Sequence, residues 1–194
     1  MRRTSLSAPL LALLLPLSAT AQDASVDLAA LIECRGDLAR LMALAPALED
    51  PLKAVAQGWQ PLPQANMFMT EYRLASPIRV FGHQTAHIAF SGGGVVALLD
   101  LPDPRPLARQ LALETAIDTP EKAMFGKEVR SEETVDPDTG KVMIDSAVLN
   151  VSNVSSHPGK TLVGCSYSLD LLEDEPADTP ADPGQAPAPA VQPG

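Results

Sequence analysis

The sequence predicts a single α+β domain, in which an antiparallel sheet of about six to seven strands carries two or three helices on one face. Three observations lead to this prediction. Apolar residues recur at helical spacing early in the chain, they alternate with polar residues from about residue 67 onward, and a second helical stretch separates two groups of strands. Strands that are grouped between helices, rather than alternating with them one by one, are typical of α+β proteins.

The domain is expected to span residues 22–172, because the two ends of the chain differ from it in composition. Residues 1–21 combine two early arginines, a short apolar core and a small-residue cleavage pattern, which together predict a secretory signal peptide. Residues 173–194 are rich in proline, alanine and acidic residues and contain almost no large apolar ones. Such a segment cannot bury enough surface to fold, so we expect a disordered acidic tail.

Two helices are predicted at the start of the domain. Residues 26–45 carry apolar side chains at intervals of three and four, which indicates one amphipathic helix. Gly36 is a position at which this helix can bend or break. Asp50 followed by Pro51 combines an N-cap with the favoured first-turn proline, so residues 51–57 predict a short second helix.

A first group of strands follows. The predicted segments are residues 67–74, 78–81, 84–90 and 95–99. Three consecutive glycines at residues 92–94 predict a tight hairpin between the last two segments. The final segment is continuously apolar, as expected for a strand that is buried on both faces.

The second half of the domain is predicted to begin with a helix over residues 105–116 and one further helical turn at residues 121–124. A meander of three strands completes the domain. The predicted strands are residues 127–135, 142–151 and 161–171. The apolar alternation of the middle strand changes parity, which predicts a β-bulge near Asp145 and Ser146.

Cys34 and Cys165 are the only two cysteines and are expected to form a disulfide. The predicted signal peptide directs the chain to the periplasm or outside the cell, where the oxidising environment favours bonding between cysteines. Two buried thiols or an intermolecular bond are the alternatives at this point. An intramolecular bond would tie the first predicted helix to the last predicted strand.

Composition narrows the class of partner. The chain has a formal charge of −10 and a calculated pI near 4.6, so it lacks the basic surface that nucleic acid requires, and we expect no nucleic-acid partner. The apolar core of the signal peptide is shorter than the roughly 20 residues that span a bilayer, so we expect no stable membrane insertion after cleavage. The alanine-, proline- and arginine-rich composition indicates a bacterial protein.

The spacing of His83 and His87 would suit a metal site on a helix, but the segment is predicted to be a strand. His83 and His87 would share a face of a helix, but four residues along a strand separate them by roughly 13 Å. One ion cannot use both, and we interpret them as surface residues. His157 lies in a turn beside Pro158 and is interpreted as structural or solvated. The sequence therefore predicts no metal site, no cofactor and no catalytic constellation.

A possible binding surface is formed by flexible apolar and aromatic side chains around a proline-containing loop, together with two histidines. Its residues are Trp59, Met67, Phe68, Met69, His83 and His87. The competing interpretation is that the apolar members belong to the core, in line with the general burial of apolar residues.

The expected function is that of an exported, non-enzymatic module that binds another protein, such as an envelope protein, or a small ligand. Its basis is the lack of a catalytic motif and the presence of strands whose edges could pair with a partner. The alternative is a hydrolase-like enzyme with a site assembled from dispersed residues. The first candidates for that site are Glu71, Arg73, His83 and His87. A pocket that joins a histidine to a carboxylate would weaken the case for a non-enzymatic module.

Overall fold

The computed structural model describes residues 26–172 of the 194-residue chain, so the predicted signal peptide and acidic tail lie outside the described residues. This part is a single α+β domain with one eight-stranded antiparallel sheet and several short helices packed against it. The helices are α1 (Leu28–Ile32), α2 (Leu38–Met42), α3 (Ala45–Glu49), α4 (Pro51–Ala56) and α5 (Arg105–Gln110). The strands are β1 (Trp59–Pro61), β2 (Thr70–Val80), β3 (His83–Ser91), β4 (Gly94–Leu99), β5 (Glu114–Asp118), β6 (Ala123–Val135), β7 (Val142–Ser152) and β8 (Thr161–Leu171).

The last strand of the chain lies in the middle of the sheet. The spatial order is β1-β2-β3-β4-β8-β7-β6-β5, and every neighbouring pair is antiparallel. The chain therefore builds two separate meanders, β1 to β4 and β5 to β7, and β8 joins them along their facing edges.

The predicted helix over residues 26–45 is wrong as a continuous element, because the chain breaks it into α1, α2 and the start of α3. The break occurs at Cys34, which has a positive φ of 56°, and the Arg35 N–H then donates to the Ala30 carbonyl at 2.8 Å. A left-handed residue with such a backward hydrogen bond is a common end of a helix. Asp37 starts α2 by accepting from the Arg40 N–H at 2.8 Å. The predicted helix over residues 51–57 is confirmed as α4, capped by Asp50.

Short edge strands account for most of the other differences. β1 has three residues, too few to show an alternation, and the sequence did not predict it. The predicted helix over residues 105–116 ends at Gln110, and edge strand β5 follows. Residues 121–124 form no helical turn, since β6 begins at Ala123. The predicted segments 67–74 and 78–81 are one strand, β2, so with β1 and β5 added the sheet has eight strands, compared with the six to seven predicted.

The parity change in β7 has a different origin from the predicted bulge. The β7–β8 register is continuous from Met143 to Ser152, whereas the β6–β7 register shifts between Glu128 and Arg130. Asp145 lies on the same side of β7 as the buried Ala147 and forms an ion pair with Arg130, in which Arg130 Nη2 lies 3.0 Å from Asp145 Oδ1. The apolar pattern slips because a paired carboxylate occupies this side of the strand, and the bulge lies in β6.

The two faces of the sheet differ in what covers them. The main core lies between the helices and one face, which we call the helix face; it includes Trp59, Tyr72, Ile88, Phe90, Val95 and Val163. The opposite face, which we call the open face, carries a small cluster of Met69, Ala89, Leu98 and Leu162, with Val96 and Val154 packed against it. The segment of residues 153–160, between β7 and β8, contributes Val154 and so lies against this face.

The disulfide between Cys34 and Cys165 is confirmed, with an S–S distance of 2.02 Å. It joins the end of α1 to central strand β8. Two hydrogen bonds reinforce the attachment: the Tyr167 hydroxyl donates to the Leu31 carbonyl at 2.7 Å, and the Arg130 guanidinium donates to the Gly36 carbonyl at 2.8 Å. The bond is consistent with an extracytoplasmic protein.

Within residues 26–172, no helix is long and apolar enough to cross a bilayer.

We expect the double variant Cys34→Ser/Cys165→Ser to lose about 5 kcal/mol of unfolding free energy. The bond closes a loop of 131 residues, and the chain-entropy relation gives this magnitude for such a loop. Denaturant unfolding of the oxidised wild type and the variant measures the difference. Ellman titration of the denatured, unreduced wild type should find no thiol, and a loss below about 1 kcal/mol would contradict the expected role.

Candidate functional site

A carboxylate and two imidazoles meet on the open face of the sheet. His87 Nε2 lies 2.9 Å from Glu71 Oε2, and His157 Nε2 lies 3.0 Å from the same oxygen. One candidate ligand atom from each residue lies within 4.8 Å of the other two. We call Glu71, His87 and His157 the Glu-His-His cluster.

Strand alternation places two members of the cluster. Tyr72 in β2 and Ile88 in β3 point into the main core, so the neighbouring Glu71 and His87 point to the open face. These two strands are hydrogen-bonded neighbours in the sheet. The third member, His157, comes from the segment of residues 153–160 that packs on the open face.

Glu71 is the most unusual residue of the cluster because a carboxylate is buried there. The residue is 4% exposed, and both imidazoles approach its Oε2. Its Oε1 is buried and has no hydrogen-bond partner among the residues that the structure describes. Burying a charged group is costly unless it is paired or coordinates a metal. The charge of Glu71 and its unpartnered Oε1 therefore both require an explanation.

The second ring nitrogen of His157 is also engaged. Its Nδ1 lies 3.0 Å from Ser156 Oγ, and Ser156 Oγ accepts from the Asn66 amide at 3.2 Å. When Nδ1 carries the proton and donates to Ser156, Nε2 presents a lone pair towards Glu71. Partners of this kind fix the tautomer and orientation of histidines that bind metals. Asn66 belongs to the β1–β2 loop, so this chain of contacts connects two loops.

His87 is held in a similar way from its backbone. Thr85 Oγ1 accepts from the His87 N–H at 3.0 Å and donates to the Leu98 carbonyl at 2.7 Å. Burial lowers the pKa of His87 below its ordinary value, although the hydrogen bond to Glu71 acts in the opposite direction; the nearby charge of Lys160 also lowers it. The neutral imidazole, which this shift favours, is the form that binds metal ions.

The geometry of the cluster suits a tetrahedral metal ion. Two nitrogens and one oxygen at zinc bond lengths of 2.0–2.2 Å would be about 3.3 Å apart in a tetrahedron. The two nitrogen–oxygen separations in the structure, 2.9 and 3.0 Å, are a few tenths of an ångström shorter, and the two imidazole nitrogens lie within 4.8 Å of each other. Small side-chain rotations would therefore make room for an ion among the three atoms.

The structure brings some of the predicted site residues together and separates others. Of the dispersed enzyme candidates, Glu71 and His87 are in contact and Arg73 lies beside them, opposite His87 in the strand register. His83 lies elsewhere, at a pocket next to α5, and is outside the cluster. A histidine and a carboxylate do meet within hydrogen-bond range, which weakens the case for a non-enzymatic module.

The predicted binding surface is not one surface. Trp59 is 5% exposed and packs against Tyr72 and Phe90 in the main core, with ring centroids 5.6 and 5.7 Å away. Met69 is also buried, but on the open face. Met67 and Phe68 are 78% and 74% exposed at the tip of the β1–β2 loop. Trp59 and Met69 therefore lie on opposite faces of the sheet, and Met67 and Phe68 lie in a loop outside it.

His157 is the functional candidate that sequence reasoning missed. The sequence predicts a structural or solvated side chain; it is not solvated, because it is 8% exposed and contacts Glu71, which is 86 residues earlier in the chain. Nothing in the local sequence signals that contact, because it depends on how the segment of residues 153–160 crosses the sheet.

Comparison with known proteins gives no further guide. No family model, curated protein or solved structure matches the chain.

We expect Thr85→Val to lower the unfolding free energy by about 2 kcal/mol, because it leaves the buried Leu98 carbonyl and the His87 N–H without the hydroxyl that both use. Thr115→Val in edge strand β5, where the threonine is exposed, is the matched control and should change stability by less than about 0.5 kcal/mol. Denaturant unfolding of both variants measures the difference. Equal effects would show that Thr85 does not hold His87 in place.

Proposed function

We propose that this protein is an exported, periplasmic binding protein for a divalent transition metal ion, with Zn²⁺ as the best fit. Its ligands are the Glu71 carboxylate, His87 Nε2 and His157 Nε2. The observation that carries the proposal is the buried Glu71, with both imidazoles at one oxygen and no partner for the other among residues 26–172.

The competing explanation is a structural ion pair, in which a proton on one imidazole balances the carboxylate. That explanation accounts for the two hydrogen bonds at Oε2 and leaves Oε1 buried and unsatisfied. A metal ion between the three side chains balances the same charge and can also draw on the second carboxylate oxygen. A buried polar atom without a protein partner calls for a water or an ion at the site, and an ion would also balance the carboxylate charge.

The donor set selects the class of metal. Two imidazole nitrogens and one carboxylate oxygen suit Zn²⁺ and neighbouring transition metals. Ca²⁺ and Mg²⁺ prefer sites made of oxygen ligands, so two nitrogens disfavour them. Three protein ligands leave a further coordination position open, as in zinc sites that bind a water or a substrate.

Metal binding is one form of the small-ligand binding that the sequence predicts. The alternative, a hydrolase-like enzyme, would use the same ion through its open coordination position. The disulfide supports the exported location. An envelope protein as partner stays a prediction, for which the edge strands β1 and β5 are the available pairing surfaces.

The metal-free protein should bind one Zn²⁺ per chain, and three variants should each weaken binding by more than about 100-fold. These variants are His87→Ala, His157→Ala and Glu71→Gln. Such losses exceed the 10–100-fold effects typical of residues that only support a ligand. Isothermal titration and metal analysis after dialysis measure affinity and stoichiometry, and the absorption bands of bound Co²⁺ report the coordination number.

His83→Ala is the matched control, because His83 lies on the same strand as His87 and outside the cluster. It should bind zinc like the wild type. Glu71→Gln should also keep its metal-free stability within about 1 kcal/mol, since without metal each Nε2 can carry its proton and donate to the amide oxygen as it would to the carboxylate. Wild-type affinity in all three cluster variants would overturn the proposal and leave the cluster with a structural role.

A further inference from the structure

A second feature of the open face adjoins the proposed metal site. A pocket of about 340 Å³ lies on this face and is lined by Arg73, Gln84, Thr85, His87 and Lys160, among others. Its volume is within the range of small-ligand sites. It lies where the β2–β3 register shifts between Arg73 and Ile78, so the sheet itself creates the concavity.

His87 belongs to both the cluster and the pocket. Its Nε2 faces Glu71, while the residue also lines the pocket. An ion bound at Nε2 would therefore lie next to the pocket, whose lining includes neither Glu71 nor His157. Because Glu71 and His157 would hold the ion from outside the pocket lining, the coordination position that the three ligands leave open would face the pocket.

Arg73 supplies a charge at the pocket. It lies opposite His87 in the register of β2 and β3, so their side chains are cross-strand neighbours on the open face. Within residues 26–172, its guanidinium takes part in no ion pair or side-chain hydrogen bond. Lys160, in contrast, is already paired with Asp100. Arg73 is thus the cation of the pocket whose hydrogen-bond donors remain to be used.

We propose that the metal-loaded site binds a phosphate group in this pocket, as inorganic phosphate or a small phosphate monoester. One phosphate oxygen occupies the open position on the ion, and the guanidinium of Arg73 binds the remaining oxygens. This inference rests on the proposed metal function.

The charges of the site match a phosphate dianion. A divalent ion and Glu71 together carry one net positive charge, and Arg73 adds a second, while the Lys160–Asp100 pair is neutral. A planar guanidinium binds two oxygens of a phosphate at once, which a carboxylate already bound to the ion through one oxygen cannot offer. Gln84, at the same pocket, provides a further polar side chain.

The test uses the full chain, loaded with one equivalent of zinc and freed of excess metal, and titrated with inorganic phosphate. Phosphate should bind to the wild type. Arg73→Gln should weaken phosphate binding by about tenfold or more with unchanged zinc stoichiometry, since it removes a charge-assisted contact. Arg79→Gln, a second exposed arginine on β2, is the matched control and should bind phosphate like the wild type. Removing the metal, or His157→Ala, should abolish phosphate binding.

The outcomes separate this inference from the function on which it rests. Failure of the wild type to bind zinc would overturn both. Zinc binding without phosphate binding at millimolar concentration would overturn the phosphate site alone, as would equal losses in the Arg73 and Arg79 variants. Acetate that binds as tightly as phosphate would overturn the assignment to phosphate. A parallel titration with glycerol phosphate distinguishes the two sources: binding of both supports a monoester ligand, and binding of inorganic phosphate alone supports the free ion.

Discussion

The attachment of the α1–α2 junction to the central strand β8 is the constraint on which the arrangement of the domain depends. The Cys34–Cys165 bond and the Tyr167 hydroxyl hold residues 31–36 against this strand, and the Arg130 guanidinium holds them against β6. The Glu33 carboxylate extends the same attachment by accepting from the Phe81 N–H at the β2–β3 turn. Because the helices are fixed to one face, the other face is left to the segment of residues 153–160.

The asymmetry of the sheet explains how a buried carboxylate is tolerated. The alternation that sends Tyr72 and Ile88 into the main core also sends Glu71 and His87 to the thinly covered side. There, one segment carrying His157 is enough to shield Glu71 from water, and the face otherwise buries only the small apolar cluster around Leu98. A polar cluster in the main core would instead have disrupted close apolar packing. The candidate site is thus a consequence of covering the two faces unequally.

Patterns of local origin could be predicted from the sequence, and contacts of distant origin could not. The period-two alternation around Tyr72 and Ile88, the glycine hairpin and the pairing of Cys34 with Cys165 are local or compartment-based signals, and the structure confirms them. The left-handed Cys34, the three-residue β1 and the Arg130–Asp145 pair are set by tertiary contacts that override local propensity. The position of His157 also depends on a tertiary contact, because its partner Glu71 lies on β2, far away in the sequence.

The central position of β8 has a consequence for the order in which the molecule takes shape. Until residues 161–171 are available, β4 ends the first meander with an apolar, unpaired edge, and the second meander has no partner at all. Exposed edges of this kind favour pairing with other chains. The contacts that complete the sheet are also far apart in sequence, which slows folding. A chaperone that shields β4 would therefore be most useful until β8 has paired with it, and the segment that carries His157 is fixed at both ends only then.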